Sequence, residues 1–375
     1  MPKVAFICGT RPDAIKTAPV VVEMRKSSAI ESLLFSTGQH REMLAQALDA
    51  FGLKPDEDLQ IMAHGQSLAQ VTTRALEGLD QMLERYKPVM VVAQGDTTTT
   101  FVASLAAFYR QIPFAHIEAG LRTDSIDNPF PEEFNRRGTA LITKLHFAPT
   151  KMAADNLRAE RVPENQIFVT GNTGIDALLT VATHSKMDFV GDHRGRTVLL
   201  TTHRRENWGE PQAEIARACL RLANEFQDTL WIVPMHKNPK VREVLQPILG
   251  GHPRIRLIEP PDYMDFVRLV QQATLILTDS GGVQEEAPSF GKPVLVLRDT
   301  TERPEGVSAG VAKLIGTKED VVFGAASELL NSDSKFAQMA NAQSPYGDGR
   351  ASARIRYQLL KYFGMDSEAE TEWTF

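Results

Sequence analysis

Only two cysteines, Cys8 and Cys219, occur among 375 residues, far apart and each in an apolar run. That excludes a disulfide framework and a cysteine-based metal site, and both thiols are expected to be inert core residues. Long hydrophobic runs are missing as well: nothing approaches the roughly 20 apolar residues of a membrane-spanning helix. Met1-Pro-Lys leads straight into Val4–Cys8 with no apolar leader core, so the expectation is a cytoplasmic protein. Neither sign of charge dominates. A net charge of −6 gives no reason to expect nucleic acid or an anionic membrane as partner, and an anionic ligand would have to be met by local arginines. There is no repeat of solenoid period and no low-complexity tract. What is present is a chain of 375 residues with 42% hydrophobic content, more than one core usually fills, which predicts two domains with a cleft between them.

Short apolar runs alternate with helical patterns throughout, which argues for parallel sheets because parallel strands need crossover helices. The runs are Val4–Cys8, Leu33–Thr37, Val89–Ala93, Ile112–Ile117, Lys144–Ala148 and Ile167–Thr170, then Thr197–Thr201, Leu230–Pro234, Ile255–Ile258, Leu275–Thr278 and Val294–Leu297. Gly171-Asn-Thr-Gly174 and the polar segment Thr183–Arg196 separate the two sets. The predicted domains are residues 1–171 and 172–351, with a closing helix at about 352–363 and an acidic tail, Asp366 to Glu372, expected to fray.

Ligands of such folds bind at the carboxyl ends of the strands, and the polar residues there are the candidates. Leu275–Thr278 breaks at Asp279 into Ser280-Gly281-Gly282 before a helix starts, a turn where backbone can approach a phosphate. Glu286 follows one turn later, within reach of a ribose diol; an ordinary capped βα turn is the alternative. Arg11 and Lys16 fall in the first βα loop, as phosphate ligands or solvated cations, and Gln39 and His40 follow the second strand. Asp96 stands in Gln94-Gly-Asp-Thr-Thr-Thr-Thr100, where a helix N-cap would also place an aspartate. Glu118 ends a buried strand, a poor place for a charge unless it is used, and Glu132 falls in the first turn of a helix after Asn128-Pro-Phe-Pro. Three carboxylates thus share one edge of one sheet. His203 lies beyond a strand end beside Arg204 and Arg205, suited to a phosphate or to a structural role, and Arg303 sits in a charged turn that could close over the same ligand. Periodicity alone makes Phe266 a core residue.

Gly9-Thr-Arg-Pro12, Gln94–Thr100, His116-Ile-Glu-Ala-Gly-Leu-Arg-Thr123, Pro131-Glu-Glu133, Thr202-His-Arg-Arg-Glu206, Asp279–Glu286 and Thr300-Thr-Glu-Arg-Pro304 occur in order along the chain. Together they resemble the non-hydrolysing UDP-N-acetylglucosamine 2-epimerases. The resemblance implies two Rossmann-like domains of the glycosyltransferase-B type and a last helix, about 352–375, that crosses back to the first. It implies interconversion of UDP-GlcNAc and UDP-ManNAc, feeding ManNAc to surface polysaccharide, by elimination of UDP to 2-acetamidoglucal and re-addition. Asp96, Glu118 and Glu132 match the family's functional acids, and His203 with Arg11 and Lys16 would stabilise the departing diphosphate. Ser280, Gly281 and Gly282 would hold phosphate, Glu286 the ribose and the Phe266 neighbourhood the uracil. No metal, nicotinamide or other cofactor is required, and a homodimer is implied.

Regulated bacterial members bind a second substrate molecule, whose lining residues match here as Gln39, Arg74, Arg204 and His236. Glu42 stands where those members carry glutamine, and its charge would oppose an added diphosphate. Asp13 replaces the usual glutamate after Gly-Thr-Arg-Pro, and Asn128 replaces a serine before proline. A glycosyltransferase of the same architecture, a hydrolysing epimerase and a non-catalytic nucleotide-sugar sensor are the alternatives; the first needs one activating base rather than three acids on one edge.

Overall fold

The computed structural model describes residues 1–38, 41–63, 65–365 and 368–375, the side chains of 41–43 excepted. The described chain forms two compact units, Met1–Thr180 with Tyr346–Phe375, and Val181–Pro345.

The first unit is built on β1 (Lys3–Cys8), β2 (Glu31–Ser36), β3 (Glu57–Asp58), β4 (Met90–Gln94), β5 (Phe114–Ile117), β6 (Thr143–Ala148) and β7 (Ile167–Val169). They pair in parallel in the order β3-β2-β1-β4-β5-β6-β7. Helices cover the faces of a parallel sheet, so its strands bury both sides and read as continuous apolar runs. Thus Val4, Ala5, Phe6 and Cys8 are fully buried. On one face, Ile7, Phe35, Val91 and Phe114 pack with Leu79, Met82, Val102 and Ala106 from the helices Leu68–Tyr86 and Thr98–Tyr109. The first of those helices opens on a Ser67–Gln70 capping box. Gly9 permits a close approach at the end of β1: a Cβ there would lie 2.1 Å from Thr99 Oγ1.

The second unit has β8 (Arg196–Thr201), β9 (Thr229–Pro234), β10 (Ile255–Ile258), β11 (Leu275–Thr278), β12 (Val294–Val296) and β13 (Ala312–Leu314). All pair in parallel, in the order β10-β9-β8-β11-β12-β13. Leu200, Trp231, Leu277 and Leu295 bury one face, Leu199, Ile232, Ile276 and Val296 the other, and Cys219 sits in the first of these cores. Burial raises both thiols far above the usual range, consistent with inert side chains.

Three features depart from the sequence expectation. Two of the edge strands, β3 and β13, carry only two and three residues and have no apolar run to announce them. The division falls after Thr180 rather than Gly171, because the helix Thr173–Val181 is tied into the first unit. Asp176 accepts from the Ala351 and Ser352 backbone N–H groups at 3.2 and 2.7 Å, capping the closing helix Ala351–Tyr362, and the Asn172 N–H donates to the Tyr346 carbonyl at 2.8 Å. The tail beyond that helix does not fray over its described residues: Arg350 holds Glu370 at 2.8 Å, Arg354 Nε donates to the Thr371 carbonyl, and the Trp373 N–H reaches the Val169 carbonyl of β7 at 3.0 Å. Trp373 also packs on the cluster of Ala148, Leu157 and Val169. No described helix is long and apolar enough to cross a membrane.

Candidate functional site

The loops after β1, β4 and β5 are neighbours on the carboxyl edge of the first sheet because those strands are adjacent in it. Arg11 is the first residue of the helix Arg11–Met24, exposed and without a partner among the described residues. Lys16, expected in the loop, lies inside that helix, where its ammonium pairs with Glu118 Oε1 rather than facing solvent. The other Glu118 oxygen, Oε2, accepts from the Gln94 carboxamide, itself 3% exposed. Glu118 adopts a left-handed backbone, φ +65°, which costs a non-glycine residue about 1–2 kcal/mol. A strained, buried-edge carboxylate gripped on both oxygens is a reason to look for chemistry there.

Asp96 is not the helix cap; Thr97 takes that place, its hydroxyl accepting from the Thr100 N–H. Asp96 is left to receive Arg136 Nε at 2.9 Å, while Asn135 Nδ2 holds its backbone carbonyl at 2.9 Å. Arg136 is in turn paired with the fully buried Glu133 at 2.7 Å, and Arg137 takes the other Glu133 oxygen at 2.7 Å. Glu132, half-buried at the start of the helix Glu132–Ala140, has no ion pair among the described residues. His116 fixes the turn before Asp96: burial pushes its imidazole down to about 4, so it is neutral and donates Nε2–H to the Gly95 carbonyl at 2.7 Å. Asp13 links two of the loops, since its Oδ2 accepts from the Gly9 and Thr10 N–H groups and from the Thr97 hydroxyl at 3.2, 3.1 and 3.1 Å. Burial pushes its carboxyl up to about 6 against those hydrogen bonds.

In the second unit the hub is Asp279, fully buried at the end of β11. It accepts from the Thr202 hydroxyl at 2.9 Å, the His203 and Arg204 backbone N–H groups at 3.0 Å each, and Asn207 Nδ2 at 2.9 Å. The loop after β8 is thereby folded against β11. His203 Nδ1 lies 3.4 Å from Asp279 Oδ1, and its ring stacks on His236 with centroids 5.5 Å apart. Burial lowers the His203 pKa, Arg204 and His236 add to that, and Asp279 opposes it. A Cβ on Gly281 would lie 3.6 Å from Arg204 Nη2 and 4.0 Å from Arg303 Nη2, so two guanidiniums converge on this stretch of backbone. Arg303 is oriented by Glu285. Ser280 donates its N–H to Thr278 Oγ1 at 2.9 Å, and Gly282 faces open space. Glu286 is half-buried at the end of the helix Gly281–Glu286. Phe266 packs partly buried on the core of its unit, as its periodicity predicts.

Arg74 is exposed on its helix and bonds Gln66 at 3.0 Å; Arg204 and His236 belong to the second unit; Gln39 and the Glu42 side chain lie outside the described residues, as does His40. Sequence reasoning missed Gln94, Asp13, Glu133, Arg136 and Asp279 as supports. The spacing of Glu133, Arg136 and Arg137, one helical turn, was a usable signal. Among the described residues no group of three or more His, Cys, Asp or Glu could hold a metal ion.

A family model described as UDP-N-acetylglucosamine 2-epimerase matches residues 22–360. The chain is 51% identical to the UDP-N-acetylglucosamine 2-epimerase of Bacillus subtilis over 99% of its own length and 98% of that protein. It is similar to the UDP-GlcNAc 2-epimerase of Neisseria meningitidis, solved bound to UDP-GlcNAc, with 46% identity and a TM-score of 0.85 over 96% of this chain and all of that one. A co-structure of S. aureus MnaA with UDP aligns over 100% of both chains with 47% identity and a TM-score of 0.86.

Proposed function

The chain belongs to the UDP-N-acetylglucosamine 2-epimerase family, and from that premise we propose that it interconverts UDP-GlcNAc and UDP-ManNAc by the non-hydrolysing route. The observation that carries the reading is the set of three acids on one sheet edge, with Glu118 gripped by Lys16 and Gln94. C2 carries a hydrogen that nothing in the sugar acidifies, so direct deprotonation is prohibitive. Elimination avoids it: the C1–O bond to UDP breaks, one carboxylate takes the C2 proton, and the new C1–C2 double bond gives 2-acetamidoglucal. Re-addition of UDP at C1, with a proton delivered to the opposite face of C2 by another carboxyl, completes the inversion. Two faces need two proton carriers, and Asp96, Glu118 and Glu132 supply them, each serving as acid or base according to its protonation.

In this reading the second unit holds UDP. Arg204, Arg303 and the open backbone at Gly281 and Gly282 receive the diphosphate, Ser280 and His203 add hydrogen bonds, and Glu286 takes the ribose. The UDP and UDP-GlcNAc bound in the two related structures support these ligands. Arg11, at a helix start and without an ion pair among the described residues, is an anion ligand of the first unit in the same reading. Lys16 serves Glu118 instead, because its charge is already committed there. The uracil near Phe266, a homodimer and supply of ManNAc for polysaccharide remain parts of the same proposal by family likeness. Incubating UDP-GlcNAc with the enzyme and separating the products tests it: UDP-ManNAc without stoichiometric free UDP is expected. Free ManNAc and UDP in equal amounts would instead identify a hydrolysing enzyme.

A further inference from the structure

Asp279 is a fully buried carboxylate whose hydrogen bonds, among the described residues, come from neutral donors. Among those residues, only His203 brings a group that can become a cation within ion-pair distance of it. A buried anion facing a lone imidazole favours the protonated ring, while the ring's own burial and the neighbouring Arg204 and His236 favour the neutral one. The balance changes when a diphosphate arrives beside Arg204 and Gly281, because the imidazole then has an anion on each side.

We propose that His203 takes up a proton as the diphosphate binds, becoming an imidazolium with Nδ1–H directed at Asp279 and Nε2–H at a phosphate oxygen, and that Asp279 is the positioning residue for this event. The inference rests on the reading that the second unit binds UDP. It adds to that reading a proton acquired from solvent before chemistry starts, so that charge developing on the departing diphosphate meets a formed cation. Geometry supports the assignment twice over. Asp279 holds the backbone N–H of His203 as well as approaching Nδ1, which fixes both the loop and the ring, and the stacked His236 ring limits rotation out of that plane. The charged and titratable groups facing the ring are Asp279 from the end of β11, Arg204 from its own loop and His236 from the loop after β9.

Calorimetry of UDP binding to the full chain at pH 8, in buffers of different ionisation enthalpy, reads the proton count. At that pH the terminal phosphate of UDP is already ionised, so uptake reports on the protein. The expected result for the parent is an uptake of about half a proton or more per site. His203→Asn should bind UDP with no uptake, and Asp279→Asn should lose most of the uptake and weaken UDP by about tenfold. UDP binding with no uptake in the parent would overturn the inference, as would uptake that survives in His203→Asn. Absence of UDP binding would sink the functional reading itself, a distinguishable outcome. Should Asp279→Asn fold poorly, the parent and His203→Asn still decide the matter.

Discussion

Lys16 and Glu118, 102 residues apart in the chain, form an ion pair in which the ammonium occupies one carboxylate oxygen while Gln94 occupies the other. A carboxylate held on both oxygens is fixed in orientation. In the proposed reaction Glu118→Gln keeps shape and loses basicity, so turnover should fall by about 10²–10⁴-fold while UDP affinity stays within about threefold. Steady-state kinetics with calorimetry check both numbers, and turnover within tenfold of the parent would make Glu118 a structural acid.

Replacing Lys16 by Met separates the two roles open to this lysine. If it serves Glu118, kcat drops by about 10²-fold and the UDP dissociation constant barely moves. A diphosphate ligand would show the opposite split, with affinity lost first.

Glu286→Ala tests the ribose assignment. Loss of a charged hydrogen-bond partner should weaken UDP by about 1.5–3 kcal/mol. Unchanged affinity in calorimetry would move the nucleoside away from this helix.

Stability against pH contains two opposing contributions. Burial raises Asp13 and Asp176 to about 6, so the folded state binds more protons than the unfolded one from about pH 4 to 6, and these acids favour folding as pH falls through that window. Burial lowers His116 to about 4 and His146 to about 3, so these imidazoles favour unfolding as pH falls below 6.5. Removing the acids in an Asp13→Asn, Asp176→Asn variant should therefore leave the histidine contribution exposed. Thermal unfolding of the variant is expected to lose more stability than the parent between pH 6 and 4. A variant profile parallel to the parent's would refute the assignment.

Much of this was legible in the sequence, and the reason is local. Strands buried on both faces read as apolar runs, and the run that ends at Thr278 breaks where β11 ends because Asp279 and two glycines cannot continue it. Asp96 and Glu118 read as candidates for the same reason, being polar residues just past such runs, whereas Glu132 opens the next helix and is singled out by its neighbours rather than by a run. Partnership was not legible. Lys16 reads as a loop cation until helix formation from Arg11 turns it toward a strand end 102 residues away. Asp279 reads as a strand stop until the β8 loop folds its N–H groups onto it. The acidic tail reads as a frayed terminus, yet Arg350, Arg354 and the β7 edge hold its described part.

Glu42, by sequence, should oppose a second bound diphosphate. Starting from purified UDP-ManNAc, the initial rate is expected to be the same with and without a trace of UDP-GlcNAc. A reaction silent until the trace is added would show that Glu42 does not disable activation.

Proton NMR of UDP-GlcNAc with the enzyme in deuterated water reads the proposed elimination directly, since the C2 proton leaves on one carboxylate and the proton that replaces it comes from another carboxyl in exchange with solvent. UDP-ManNAc should appear with deuterium at C2 in the parent, and Glu118→Gln should form it more slowly by the same factor as its loss of turnover. UDP-ManNAc that keeps its original C2 hydrogen would contradict the elimination and require the hydrogen to stay with the substrate throughout.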